Sequence, residues 1–289
     1  MKIIRDSPEH HYLTFIDHAR QNNAAWVALH CAQSETLSHD VLIEHPGRLR
    51  GKLQSYKKDC EALAAQLAQE GETYKESCLY EFSDGDLLLL VLPTNSTEQE
   101  RFQSFYKNLT ATQAMQHCRY GHLNRDYYAY QNLADERLYS MRRMEAYAAM
   151  GDEAKTSSIP IRRTRRKDTL VQIVEDDRFV AAFAASILNK DYEIIHSKTG
   201  EDAIADYIEY APDVVFQDIH LPGLNGHETL NAIKKIDPAA YVIMLSGDAV
   251  KYNIVEASRG GAAGFLKKPF SHDRMTAMVK ASPFYKPVR

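Results

Sequence analysis

A chain of 289 residues, 44% hydrophobic and 26% charged, has the composition of a globular protein long enough for two domains. A formal net charge of −4 argues against a strongly basic nucleic-acid binder, and the longest strongly apolar run, Leu87 to Leu92, is too short to cross a bilayer. The start MKIIRDSPEHH lacks the apolar stretch of a signal peptide, and Cys31, Cys60, Cys78 and Cys118 stand far apart with no C-x-x-C, so the expectation is a cytoplasmic protein with reduced thiols and no membrane insertion.

In chain order, residues 1–121 read as an α+β domain. A helix is predicted near Glu9 to Gln21, a strand at AAWVALH, and a helix from about Gly47 to Gln69. The strands SCLYEF and DLLLLVLP then flank an SDGD turn, and a helix near Glu98 to Leu109 follows. The two strands around Asp84-Gly85 form a hairpin pattern. This β-α-β-β-α order dimly resembles the palm of GGDEF-type cyclases. FSDGDLL, however, lacks the paired glycines that let a nucleotide phosphate approach the backbone, so Asp84 and Asp86 read as turn residues and not as metal ligands. From 122 to 150, the spacing Leu123, Tyr127, Tyr130, Ala134, Leu138, Met141, Met144 and Ala148 marks one face of a long helix, which either folds back on the first domain or pairs with a second copy.

Residues 151–168 carry a proline, small polar residues and five basic residues between Arg162 and Lys167, without apolar periodicity, and read as a basic, flexible linker. Residues 1–150 hold 16 basic and 20 acidic residues and 168–289 hold 13 and 17, so neither large segment is itself basic and nucleic acid is not expected as a partner. From 169 to 289 the pattern alternates. Strands LVQIV, YEIIHS, DVVFQ, YVIMLS and AGFLK are separated and followed by helices near 178–189, 200–210, 227–236, 250–259 and 272–281. Five strand and helix pairs imply a doubly wound parallel (βα)5 sheet of the flavodoxin-like kind.

Open sheets of this kind collect their functional groups at the C-terminal ends of the strands. There the sequence places Glu175 and Asp176 after the first strand, Asp218 at the third, Ser246 at the fourth and Lys268 at the fifth. Three carboxylates repel one another unless a hard cation such as Mg²⁺ or an ammonium joins them. A carboxylate beside a metal, a lysine and a hydroxyl can accept a phosphoryl group. Asp177 reads as the cap of the next helix, although an acidic pair at 176–177 is the alternative register.

Through VEDD (174–177), QDIHLPGLNG (217–226), MLSGD (244–248) and GFLKKPF (264–270), this segment closely resembles the receiver domain of two-component response regulators. The resemblance implies that Asp218 is the phosphoacceptor and that Glu175, Asp176, Asp218 and the backbone carbonyl of His220 bind Mg²⁺. It further implies that Ser246 follows the phosphoryl group, that Lys268 assists it, that Phe265 is the aromatic switch position, and that the Lys268–Pro269 bond is cis. The implied partners are a sensor histidine kinase or phosphotransfer protein, an output protein reached through residues 1–121, and a possible homodimer. A first domain with cyclase or hydrolase activity, or one that binds DNA, is the alternative; the first needs a glycine-rich loop and the second a basic helix-turn-helix.

Overall fold

The computed structural model describes residues 1–37, 46–111, 117–247 and 257–287, with only the backbone of 46, 47 and 134–139. The chain divides into two compact units whose main boundary falls between Met144 and Glu145.

The first unit is built on five strands, β1 Lys2–Ile4, β2 Val27–Cys31, β3 Ser77–Glu81, β4 Leu87–Val91 and β5 Cys118–His122. They lie in the order β1-β3-β4-β2-β5, with only β1 and β3 parallel. The all-apolar β4 sits in the middle because both its faces are covered: Leu88 and Leu90 enter one core, and Leu87, Leu89 and Val91 the other. The helices α1 Pro8–Gln21 and α4 Tyr127–Met150 supply the first core, through Tyr12, Ile16, Tyr127, Tyr130 and Leu133. α2 Pro46–Gly71 and α3 Ser96–Thr110 supply the second, through Leu63, Leu67, Phe102 and Leu109. Thus the early part of the long helix folds back on the sheet. Tyr12 donates to the Tyr130 carbonyl at 2.7 Å and Tyr127 to Asp17 at 2.8 Å.

Two strands were not legible beforehand. β1 has three residues, largely exposed, and β5 reads Cys-Arg-Tyr-Gly-His because an edge strand need not be apolar on both faces. The β3–β4 turn has Gly85 at φ +90°, closed by the Phe82 N–H on the Asp86 carbonyl at 2.9 Å. Its acids are buried and not solvated turn residues: Asp86 accepts the Ser34 N–H at 2.7 Å and meets His30 Nε2 at 3.1 Å, while Asp84 Oδ1 accepts the Asp86 N–H at 3.0 Å.

The second unit carries β6 Leu170–Val174, β7 Glu193–Ser197, β8 Val214–Asp218, β9 Val242–Ser246 and β10 Gly264–Lys267. All neighbours are parallel, in the order β10-β9-β8-β6-β7. α7 Arg178–Leu188 and the last helix, α10 His272–Lys280, pack on one face, and α8 Gly200–Tyr210 packs against α9 Gly226–Ile236. The helix expected near Val250 to Arg259 lies outside the described residues, apart from its last three.

One expectation needs correction. The basic stretch is not an unstructured tether: it forms α5 Glu153–Ser157 and α6 Ile159–Arg165, with Pro160 in the first turn of α6, where a missing N–H costs nothing. Ile159 is fully buried, and so is Arg163, which spans Asp237 and the Tyr207 hydroxyl at 2.6 Å each and donates to the Pro212 carbonyl at 3.0 Å, with Phe284 under its guanidinium at 4.2 Å. Arg162 donates to the carbonyls of Ile208 and Glu209, and Arg166 to those of Tyr210 and Ala211. These are the carbonyls that the end of α8 leaves without helical partners, at the negative pole of its dipole. The basic cluster therefore serves a helix terminus, and composition could not reveal that because many of its acceptors are backbone atoms distant in sequence.

Among the described residues, no helix is long and apolar enough to cross a membrane. Replacing Arg163 leaves Asp237 buried without its cation, a loss that typically costs about 3–5 kcal/mol. An Arg163→Met chain is expected to unfold at a clearly lower urea concentration than the parent, followed by circular dichroism; an unchanged midpoint would show that the docked helix contributes nothing to the second unit.

Candidate functional site

The order β10-β9-β8-β6-β7 reverses direction at β6, so a crevice opens beyond the C-terminal ends of β6 and β8. Glu175 follows β6 and Asp218 ends β8, and both side chains are buried. Asp176 is exposed beside them, and one oxygen from each of the three carboxylates lies within 4.8 Å of the others. From the end of β10, Lys268 Nζ reaches Glu175 Oε2 at 2.5 Å and Asp218 Oδ1 at 3.0 Å. Its backbone N–H bonds the Ser246 carbonyl at 2.8 Å, which ties the ends of β9 and β10 together, and the Lys268–Pro269 bond is cis. Lys267, by contrast, is exposed.

Charge explains the local protonation. Burial raises the Glu175 carboxyl above its usual range, Lys268 works against the rise, and Asp218 and Asp176 add to it. Burial alone would lower the Lys268 ammonium, but its bonds to Glu175 and Asp218 outweigh that and hold it above its usual value. Asp177 is otherwise engaged: it caps α7, accepting the N–H groups of Phe179 at 2.7 Å and Val180 at 3.1 Å, and those bonds keep its carboxyl low. The acidic cluster is therefore Glu175, Asp176 and Asp218, without Asp177. Its donors are carboxylate oxygens only, a set that suits a hard divalent cation such as Mg²⁺ better than a softer metal.

The remaining expected residues lie on β9, on β10 and after β8. Ser246 is fully buried at the end of β9, and Phe265 is half-buried on β10, paired with Met244. His220, two residues beyond Asp218, is exposed.

The loop behind Asp218 is held by residues not singled out before. Asn225 and Glu228 form a capping box at the start of α9, a pattern the N-x-x-E spacing could have disclosed. Gly226 has no room for a side chain, since a Cβ there would land on the Asp218 carbonyl and lie 2.7 Å from Ile219 Cα. Glu201 of α8, buried, accepts the Leu224 N–H at 3.2 Å and fills the space beside Gly223, which sits at φ +75°. No local pattern points to Glu201, because its partner lies 23 residues away.

The second unit resembles known proteins. The family model described as the response regulator receiver domain matches residues 171–280. The chemotaxis protein CheY of Thermotoga maritima is 36% identical over 115 residues, covering 39% of this chain and 96% of CheY. CheY of Bacillus subtilis is 35% identical over 111 residues, covering 38% and 92%. The crystal structure of the receiver domain of NtrX from Brucella abortus has 34% identity and a TM-score of 0.37, over 38% of this chain and 94% of that one. The parallel five-stranded sheet and the likeness to nearly all of CheY together identify the chain as a member of the response regulator family, with its receiver domain in the second unit.

Proposed function

We propose that Asp218 accepts the phosphoryl group, passed from the phosphohistidine of a sensor kinase or phosphotransfer protein, and that the resulting change in the receiver controls a protein-binding output in the first unit. The observation that carries this reading is the convergence of Asp218 with Glu175, Asp176 and Lys268 at one sheet edge. A carboxylate oxygen of Asp218 attacks phosphorus, the P–N bond to the donor imidazole breaks, and the released imidazole takes up a proton. Lys268, 3.0 Å from Asp218, offsets charge on the phosphoryl oxygens as they approach. Glu175 and Asp176, with Asp218 and the carbonyl of His220, would hold Mg²⁺, which supplies further positive charge to those oxygens. Ser246 then donates its hydroxyl to the phosphoryl group, and Phe265 on the neighbouring strand carries the change outward.

Binding and not catalysis is the output we assign to the first unit. Supporting that, the hairpin turn that would face a nucleotide has Asp84 and Asp86 buried and hydrogen-bonded within the unit, beside a single glycine.

Asp218→Asn is expected to abolish labelling by radioactive acetyl phosphate in the presence of Mg²⁺, and label retained at the parental level would remove Asp218 as acceptor. Asp176→Asn takes one negative charge from the cation set, so calorimetric titration with Mg²⁺ should give a Kd at least about ten-fold weaker. Ser246→Ala should still be labelled, but a hydrogen bond to a charged group is worth about 1.5–3 kcal/mol, so the phosphorylated variant should populate the active state roughly ten-fold less. Hydrogen exchange across residues 250–281, read on the same labelled sample, distinguishes this from a residue that merely fills space: an undiminished change would assign Ser246 no part in the response.

A further inference from the structure

β2 and β5 are antiparallel, and their register sets Cys31 directly opposite Cys118. The Ala32 N–H donates to the His117 carbonyl at 3.0 Å, which places the flanking pair in a hydrogen-bonded position and the cysteines in the adjacent non-hydrogen-bonded one. There the Cα atoms of facing residues approach to about 4.5 Å, inside the range a disulfide spans. Both side chains point into the same apolar core, and their sulfurs lie 3.0 Å apart. A disulfide needs about 2.0 Å, so closure asks for a movement of about one ångström and no change of strand register. Among the described residues β5 is the edge strand of its sheet, and Cys118 is its first residue. Cys60 lies on α2, and Cys78 faces the opposite core from β3.

We infer that Cys31 and Cys118 are a redox-active thiol pair at which a hydroperoxide is reduced and the sheet of the first unit is closed by a reversible disulfide between β2 and β5. Cys118, the less enclosed of the two, is the attacking sulfur. The contact between the sulfurs lowers the Cys118 thiol and raises that of Cys31, which burial raises further. The Cys118 thiolate attacks one peroxide oxygen and the O–O bond breaks, giving Cys118 sulfenic acid; the departing hydroxide takes up the proton that Cys118 released to solvent on ionising and leaves as water. The Cys31 sulfur then attacks the Cys118 sulfur. The S–S bond forms, the S–O bond breaks, and the hydroxide leaves with the Cys31 proton as a second water. Two thiols and one hydrogen peroxide thus give one disulfide and two waters, with two electrons passed to the oxidant. Because the partners are 87 residues apart, the bond closes a long loop and restricts the unfolded chain.

The test uses the full chain, exposed to hydrogen peroxide and then alkylated under denaturing conditions. Two of the four cysteines should resist alkylation, peptide mapping should recover residues 31 and 118 in one linked peptide, and dithiothreitol should restore all four thiols. The oxidised chain should melt roughly 5 °C or more above the reduced one. In Cys31→Ser, the sulfenic acid on Cys118 has no resolving thiol and should be captured by dimedone. Four free thiols after treatment, a link through Cys60 or Cys78, sulfinic acid on Cys118 with Cys31 still alkylated, or an unchanged melting temperature would overturn the inference. The linked peptide from the unaltered chain decides the matter even if Cys31→Ser does not fold.

Discussion

Two buried carboxylates, Glu175 and Asp218, face each other at the open edge of the second sheet, and the Lys268 ammonium between them makes that arrangement tolerable. Its position is a consequence of topology. β10 is separated from β8 only by β9, the Lys268 backbone is tied to the end of β9, and the side chain therefore reaches across to both acids. The cluster still carries three carboxylates against one ammonium, and this surplus of negative charge makes the edge receptive to a cation and, through it, to a phosphoryl group. The loop behind Asp218 answers the same demand from the other side: the α9 capping box, Gly226 pressed against the Asp218 backbone, and Glu201 fastening Leu224 hold the acid on its strand.

How much of this was legible in the sequence depended on where each residue's partner lies. The central strands of the second sheet could be read because parallel strands covered on both faces stand out as short apolar runs, as in VVFQD and VIMLS, and the regular alternation with helices located the edge strands β7 and β10 beside them. The site residues were legible for a related reason. Glu175, Asp218, Ser246 and Lys268 each sit at the end of a strand or directly after it, so chain position alone carries them to the common edge. In the first unit that reasoning found β2, β3 and β4 but passed over β1 and β5, whose edge positions leave them no distinctive pattern. The cysteines show the limit most clearly: 87 residues separate Cys31 from Cys118, and only the strand register makes them neighbours.

The basic stretch before the receiver was misread for the opposite reason, since its composition was informative but ambiguous. Five cations within six residues repel one another in water and suggest a solvated tether. In the fold, three of the arginines find carbonyl oxygens at the end of α8 and before β8, and two of them also reach buried carboxylates, Asp237 and Asp213. Ala211, in the left-handed conformation at the end of α8, turns the backbone there and exposes the carbonyls they bind.

This docking changes what counts as the receiver module. A homology boundary drawn at residue 171 would cut away α5 and α6, stripping Asp237 of its cation and Phe284 of the guanidinium that covers it. The portable piece of this protein begins upstream of Glu153, because Asp237 and Phe284 are completed by Arg163. The receiver of this chain is thereby fastened, away from the acidic site, by a residue outside the acidic cluster.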